Sequence, residues 1–329
     1  MTRPTQRSRT RMIVRISVAT ALACAVMYVY FHYIPPTRGS GPAGPAVSRD
    51  AFTKPWSDRH IELLGMGDSI TAGFGVSDRP LAYFNRLERN PENEFPEMEG
   101  IALSRVLPNV RSKNLSMSGS TSIECLDDQL PLLKTASADW FGIVVITTGG
   151  NDLIHNYGHT PPREGAMYGA TMEEAGPWIE NFEKRLHTIF DVLNARYPGG
   201  CYIFLANIYD PSDGVGDPSI VFMPPWPDLL KIHHAYNGVI KRVADERDNV
   251  WIADIQGPFL GHGFFAKQFW RANYHRDDAH LWYQMNIEDP NDRGYDAIRR
   301  VFLNAIAGAI KERPIPAIEG LAATDLSTR

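Results

Sequence analysis

The sequence of 329 residues predicts an α/β fold, a three-layer αβα sandwich around a doubly wound, parallel, five-stranded sheet that follows an N-terminal transmembrane helix. Short apolar runs alternate with longer segments whose apolar residues recur every three or four positions. This alternation is typical of a parallel sheet with helices on both faces. A composition of 43% hydrophobic and 22% charged residues is that of a globular protein with a substantial core.

Five runs predict the strands, and three amphipathic segments predict the main helices. The strands are residues 61–66, 110–115, 142–148, 201–206 and 250–254; the helices are residues 178–197, 232–247 and 293–311. The third strand is apolar and β-branched throughout, as in strands that are buried on both faces. The Pro- and Gly-rich segments 156–176 and 210–228 interrupt the pattern, and loops of that length are usually functional or disordered.

The N-terminal segment indicates a membrane anchor. Residues 16–33 form an apolar run, near the lower limit of about 18 residues for a membrane span. Arginines precede the run and tyrosines lie near its end, so we predict that the N-terminus is cytoplasmic and the body lies outside. A cleaved signal peptide and a lipoprotein attached at Cys24 are the alternatives. The predicted parts are a basic tail (1–15), a signal anchor (16–34), a Pro/Gly linker acting as a tether (35–57), a single α/β domain (58–314) and a C-terminal tail (315–329).

Charge and cysteine content exclude several classes of protein. Residues 1–40 carry six arginines and no acidic residue, so the net charge of −5 leaves −11 for the remainder. Such an acidic body is not expected to bind nucleic acid. Cys125 and Cys201 could pair in an exported domain, but two buried thiols explain them better. No Cys/His spacing resembles a zinc site, and no cofactor is expected.

Three motifs follow the first three strands and point to acyl chemistry. Ser69, in Gly67-Asp68-Ser69, lies where a strand meets a helix, which exposes its hydroxyl as a nucleophile and places its N–H near the helix start. Gly119 follows the second strand and offers an unhindered N–H, and Asn151 follows the third with a side-chain donor. We predict Ser69 as the nucleophile and Ser69, Gly119 and Asn151 as the oxyanion hole.

In order and spacing, these motifs resemble those of the SGNH, or GDSL, hydrolases, and they span most of residues 61–300. The resemblance implies a flavodoxin-like sheet and hydrolysis of an ester or thioester, without a metal, through an acyl-serine. The expected partner is therefore a small-molecule, polysaccharide or lipid ester, in addition to the membrane.

The fourth motif departs from that family. The family usually has Asp-x-x-His before a proline and the last helix, but Asn286 and Asp289 stand at those positions. Upstream, Asp277 and His280 restore the spacing, so we predict that His280 is the base and that Asp277 orients it. The alternatives are His275 as the base, or no working base and an inactive protein. Asp289 is expected to cap the last helix.

Together the patterns predict a serine ester hydrolase on the outer side of the cytoplasmic membrane. It would be of the lipase/acylesterase or carbohydrate acetylesterase type. An inactive binding protein on the same fold and an acyltransferase that modifies an envelope sugar are the alternatives. The two long segments should supply the apolar pocket walls, with Trp178, Phe222, Met223 and Trp226.

Overall fold

A computed structural model describes residues 6–317 and confirms the predicted architecture. Five parallel strands form one sheet in the order β2-β1-β3-β4-β5. They are β1 His60–Gly67, β2 Val110–Asn114, β3 Trp140–Thr147, β4 Cys201–Ala206 and β5 Val250–Ala253. The chain places β2 on one side of β1 and β3 on the other. A ligand crevice is therefore expected at the carboxyl ends of β1 and β3, where the strand order reverses.

The helices form a layer on each face of the sheet. In chain order, the α-helices are α1 Gln6–Tyr33, α2 Ser69–Ala72, α3 Tyr83–Glu88, α4 Leu103–Val106, α5 Ser122–Glu124, α6 Gly150–Ile154, α7 Met172–Arg196, α8 Leu229–Asp245, α9 Gln256–Phe259 and α10 Asp292–Glu312. Successive side chains of β3 point to opposite faces. Ile143 and Val145 pack in the core under α3, α4 and α10, whereas Val144 and Ile146 pack in the core under α7 and α8.

The three predicted helices are confirmed, but α7 begins earlier than predicted. Thr171 and Glu174 form a capping box: the Thr171 hydroxyl accepts a hydrogen bond from the Glu174 N–H (3.2 Å), and the Glu174 carboxylate accepts one from the Thr171 N–H (2.8 Å). The helix therefore starts at Met172, inside the segment 156–176 that the sequence predicts as a loop, and contains Pro177.

The prediction that residues 35–57 form an unpacked tether is wrong. Ala43 is buried, and its N–H donates a hydrogen bond to the Asp296 carboxylate (2.9 Å). Farther along, the Asn304 amide donates to the carbonyl of Ala46 (3.0 Å). Small residues permit this close packing: a Cβ at Gly44 would lie 2.6 Å from the Cα of Ala297. The segment therefore lies along α10 as part of the domain.

The domain also extends beyond residue 314, where we had predicted its end. Ile315 is buried in the core, and the carbonyl of Pro316 accepts a hydrogen bond from the Arg59 guanidinium (3.1 Å). Residues 318–329 of the predicted tail lie outside the described residues.

The N-terminal helix is the one segment within residues 6–317 that is long and apolar enough to cross a membrane. The candidate span is Arg11–Tyr33, with a mean hydropathy of 2.0 and no burial against the rest of the protein. A signal peptide has the same length and composition. Cys125 and Cys201 are buried free thiols, so they do not form the disulfide that an exported domain would allow.

A buried carboxylate joins α3, α10 and the segment before β1. Asp296 is fully buried and pairs with Arg86 (3.2 Å), Arg299 (2.7 Å) and Arg300 (3.0 Å), in addition to its hydrogen bond from Ala43. Removing one partner from a buried ion network leaves charges without compensation, which costs more than the network itself contributes.

We predict that Asp296→Ala lowers the free energy of unfolding by about 3–5 kcal/mol, because it leaves buried arginines without a partner. Urea unfolding followed by tryptophan fluorescence measures the change. Asp245→Ala is the matched control, since Asp245 forms an exposed pair with Lys241 and should have little effect. Equal stabilities for the two variants would contradict this account of the network.

Candidate active site

The carboxyl edge of the sheet brings the first three predicted motifs together. Ser69 is the first residue of α2, after β1, and Asn151 lies in α6, after β3. Both line one cavity. Gly119 lies in the turn after β2 at a φ of +81°, a conformation that favours glycine, with no atom within 4 Å of the position where a Cβ would stand. The carbonyl of its neighbour Ser120 accepts a hydrogen bond from the Asn151 side-chain amide (2.9 Å).

Ser69 is presented by a turn that only glycine permits. Gly67 has a φ of +113°, and a Cβ there would lie 1.7 Å from the carbonyl oxygen of Thr147. The next residue, Asp68, donates its N–H to that carbonyl (3.1 Å) and accepts a hydrogen bond from the Thr147 hydroxyl (2.7 Å). Its carboxylate also accepts from the N–H of Ile70 (3.1 Å) and so caps α2. These contacts hold Ser69 at the start of a helical turn.

A buried glutamine joins the nucleophile to the predicted oxyanion hole. Gln129 is 0% exposed, and its amide both accepts from the N–H and donates to the carbonyl of Gly67, each at 2.7 Å. The same amide nitrogen donates to the Ser120 hydroxyl (2.8 Å). Asn151 uses one N–H on the Ser120 carbonyl, which leaves its second N–H for a ligand. No sequence pattern indicates Gln129, because its role depends on contact with Gly67, which is 62 residues away in the chain.

Asp152, next to Asn151, attaches α6 to α5 and α7. Its carboxylate accepts hydrogen bonds from the N–H (2.7 Å) and hydroxyl (2.5 Å) of Ser122 and lies 3.5 Å from Arg185. Burial raises the pKa of Asp152, and the hydrogen bonds from Ser122 oppose that shift. The pairing fixes the end of β3 against α5 and α7, and so fixes the position of Asn151.

The cavity beside Ser69 is small and mostly apolar, with a volume of about 140 Å³. Cavities of about 150 Å³ in protein interiors hold a molecule the size of benzene. Of the predicted wall residues, Met223 and Trp226 line the cavity. Phe222 does not: it follows a one-turn helix at a φ of 63° and is 99% exposed. Trp178 packs against the core under α7 instead.

The fourth motif lies on a β-hairpin whose tip reaches the cavity. Tyr283 pairs with Pro290 across the hairpin, and the tip residues Asn286, Ile287 and Glu288 line the same cavity as Ser69. Asp289 is buried at 4% exposure. One of its carboxylate oxygens accepts a hydrogen bond from the Asn286 amide (2.7 Å), and the other has no partner within the described residues.

The predicted pair of Asp277 and His280 is not assembled at this cavity. The His280 imidazole lies 2.9 Å from Asp278, not from Asp277, which is exposed. Asp278 is paired in turn with Arg293. His280 packs against Gly39 and is not among the described residues that line the Ser69 cavity. Residues 281–284 are extended and lie between His280 and the hairpin tip. Four extended residues span roughly 13 Å, so His280 is that far from the tip along the chain.

Two further predictions for this region need correction. His275 is hydrogen-bonded to the carbonyl of Leu260 (2.9 Å) and stacks on His262, so it is not in the cavity either. Asn291, rather than Asp289, caps α10, since its side chain accepts hydrogen bonds from the first two N–H groups after Asp292. Within the described residues, no group of three or more His, Cys, Asp or Glu side chains is arranged to hold a metal ion.

Comparison with known proteins agrees with the motifs and the sheet. Residues 66–297, more than half of the chain, match the GDSL-like lipase/acylhydrolase family. The chain belongs to this family. Family membership supports ester hydrolysis in general. No curated protein matches the chain.

Several solved structures are similar to this GDSL-family chain at low identity. An extracellular lipase from Streptomyces rimosus is 17% identical, with 76% of this chain and 99% of the lipase covered and a TM-score of 0.49. The acetylxylan esterase Axe2 from Geobacillus stearothermophilus is 19% identical, with 76% of this chain and 95% of the esterase covered and a TM-score of 0.47.

The charge of Asp289 acts on two other carboxyl groups near Ser69. Burial raises the pKa of Asp68 to about 7; hydrogen bonds from Thr147 and Ile70 oppose this shift, and the charge of Asp289 adds to it. Burial likewise raises the pKa of Glu288, and the charge of Asp289 again adds to the shift. The surroundings therefore disfavour the charged forms of Asp68 and Glu288.

We predict that Gln129→Leu lowers kcat for an ester substrate by about tenfold or more with little change in KM. Removing the amide frees the Gly67 turn and the Ser120 loop, so the oxyanion donors lose their alignment. Gln129→Glu is the comparison, because it retains the oxygen that accepts from the Gly67 N–H and loses the amide donor. A proportional fall in the amount of folded protein, with kcat per folded molecule unchanged, would show that Gln129 is only structural.

Proposed function

We propose that this GDSL hydrolase cleaves carboxylic esters through an acyl-enzyme on Ser69. The observation that carries the proposal is the position of Ser69, at the first turn of α2 on the wall of a cavity that Asn151 also lines. The Ser69 oxygen attacks the ester carbonyl, and the oxyanion accepts hydrogen bonds from the N–H groups of Ser69 and Gly119 and from the Asn151 side chain. Water then attacks the acyl-enzyme and releases the acid.

The proposed base is Asp289, in the position where the family has histidine. It takes the Ser69 hydroxyl proton during attack and returns it to the leaving alcohol. Two observations on Asp289 support this role. One carboxylate oxygen is buried without a hydrogen-bond partner, and the Asn286 amide holds the carboxylate by its other oxygen. A carboxylate is a weaker base than an imidazole at neutral pH, so turnover should be slow. The role of His280, oriented by Asp278 rather than by Asp277, stays a prediction from the sequence that the same experiment tests.

The substrate proposed on size is an ester with a short acyl group. A cavity of about 140 Å³ accommodates roughly six carbon atoms, by comparison with a cavity that holds benzene. We further propose that α1 is retained as an anchor, with the arginine-rich end cytoplasmic and the domain outside. Transfer of the acyl group to an envelope sugar would use the same acyl-enzyme, with the sugar hydroxyl in place of water.

A non-catalytic ester-binding protein is the second candidate. The observation in its favour is that the fourth motif carries Asp289 instead of an imidazole. A protein of this kind would bind short-chain esters in the cavity and leave them intact.

The experiment is hydrolysis of p-nitrophenyl acetate, butyrate and octanoate by the full-length protein in detergent. We expect Ser69→Ala to abolish turnover and Asn151→Ala to lower kcat by about 10²–10³. Asp289→Asn should abolish activity, and His280→Ala should not change it. The double variant Asn286→Asp/Asp289→His restores the residue types usual in the family and should raise kcat above pH 7, because imidazole is the stronger base.

The variants separate the two proposed bases. Activity that is lost in Asp289→Asn and kept in His280→Ala supports the carboxylate base. Activity that is lost in His280→Ala and kept in Asp289→Asn would show instead that His280 reaches Ser69. Wild-type protein that binds but never cleaves these esters would favour the binding protein.

A further inference from the structure

Most of the exposed large apolar side chains of the domain lie in segments that follow the carboxyl ends of the strands, on the edge of the sheet where the Ser69 cavity lies. We define the apolar rim by seven of these residues: Phe74, Met117, Ile220, Phe222, Phe269, Trp270 and Met285. Phe222 is 99% exposed and Met285 is 78% exposed. Their chain neighbours Val221 and Asn286 line the cavity, so the rim and the cavity share the same loops.

A concentration of exposed apolar side chains on one edge indicates a surface that is covered in use. Scattered single apolar side chains are normal on a soluble protein, whereas a contiguous set around a cavity marks a site of interaction. Leu132, which is 56% exposed, is outside the rim, and neither Leu132 nor its chain neighbours line the Ser69 cavity. It therefore serves as an apolar reference position away from the mouth.

The end of α1 identifies what covers the rim. The ring of Tyr33, the last residue of α1, packs on Phe269 at 5.4 Å and on Trp270 at 6.5 Å between centroids. Lys267 donates a hydrogen bond to the carbonyl of Phe31 (3.4 Å). Aromatic side chains at the end of a membrane span favour the level of the lipid headgroups. If α1 crosses the membrane, Phe269 and Trp270 lie at the outer interface beside it.

The loop that carries these two residues also reaches the cavity. Phe264 lines the cavity beside Ser69, five residues before Phe269 in the same loop. The loop that contacts the end of α1 therefore also contributes to the wall of the cavity.

We propose that the apolar rim rests on the outer leaflet of the membrane and that the substrate is an amphipathic ester taken directly from the bilayer. The lipid part of the substrate stays in the leaflet while its short acyl group enters the cavity, so the molecule need not cross water. The substrate class rests on the proposed function, whereas contact of the rim with lipid does not.

The first test measures contact with lipid without using activity. Two cysteine variants, Phe269→Cys and the control Leu132→Cys, are made in the full-length protein with Cys24→Ser and labelled with a bimane fluorophore. Each is reconstituted in phosphatidylcholine/phosphatidylglycerol vesicles that contain spin-labelled lipid. Cys125 and Cys201 are buried and stay in place. We expect quenching at position 269 and none at position 132. No quenching at either position, or protection of position 269 by self-association, would overturn the proposal.

The second test measures turnover in the membrane against turnover in solution. The substrate is a fluorogenic butyrate ester linked to a phospholipid and embedded in vesicles. In the Phe269→Ser/Trp270→Ser variant we expect turnover of this substrate to fall by about tenfold, as it would if the association constant of the rim with the membrane fell by that factor. Hydrolysis of soluble p-nitrophenyl butyrate should not change, and Leu132→Ser should affect neither substrate. Unchanged turnover of the vesicle-embedded ester would overturn the proposal. If no ester is cleaved at all, the proposed function fails, while the quenching result still decides whether the rim contacts lipid.

Discussion

The candidate site at the carboxyl edge of the sheet depends on the hydrogen bonds between the Gln129 amide and the backbone of Gly67. Gly67 must approach β3 so closely that no Cβ fits, and this approach turns the chain so that Ser69 begins α2. The same amide contacts Ser120, whose carbonyl holds Asn151. One buried side chain thus sets the relative positions of the proposed nucleophile and of two proposed oxyanion donors that come from different strands. Preorganised donors of this kind stabilise charge without reorganisation during the reaction.

The electrostatics of this edge differ from those of a serine–histidine–aspartate triad. In a triad, one buried carboxylate orients an imidazole, which carries the proton. Here, Asp68, Glu288 and Asp289 lie near Ser69, and burial shifts two of them towards the neutral form. The nearby Asp152 is compensated separately by Ser122 and Arg185. The carboxylate mechanism that we propose requires Asp289 to be the ionised member of this group, so that it can accept the Ser69 proton.

The sequence predicted the sheet and the first three motifs well because both have local signals. The buried strands β1, β3 and β4 are short apolar runs, and Ser69, Gly119 and Asn151 each come within a few residues of a strand end. It did not predict Gln129, the burial of Ala43 against α10, or the partner of His280, because these depend on contacts between distant segments. At His280, an Asp-x-x-His spacing matches a motif in sequence, but the structure pairs His280 with Asp278 and places Asn286 and Glu288, at the hairpin tip, on the cavity wall. Spacing alone cannot specify which end of a hairpin faces a site.

The central claim is that Ser69 is an activated nucleophile, and covalent labelling tests it most directly. Full-length protein is treated with a fluorophosphonate, digested and analysed by peptide mass spectrometry. The account predicts a single phosphonyl adduct on the peptide that contains Ser69, which Ser69→Ala lacks. An unlabelled protein, or an adduct on another serine that persists in Ser69→Ala, would contradict it.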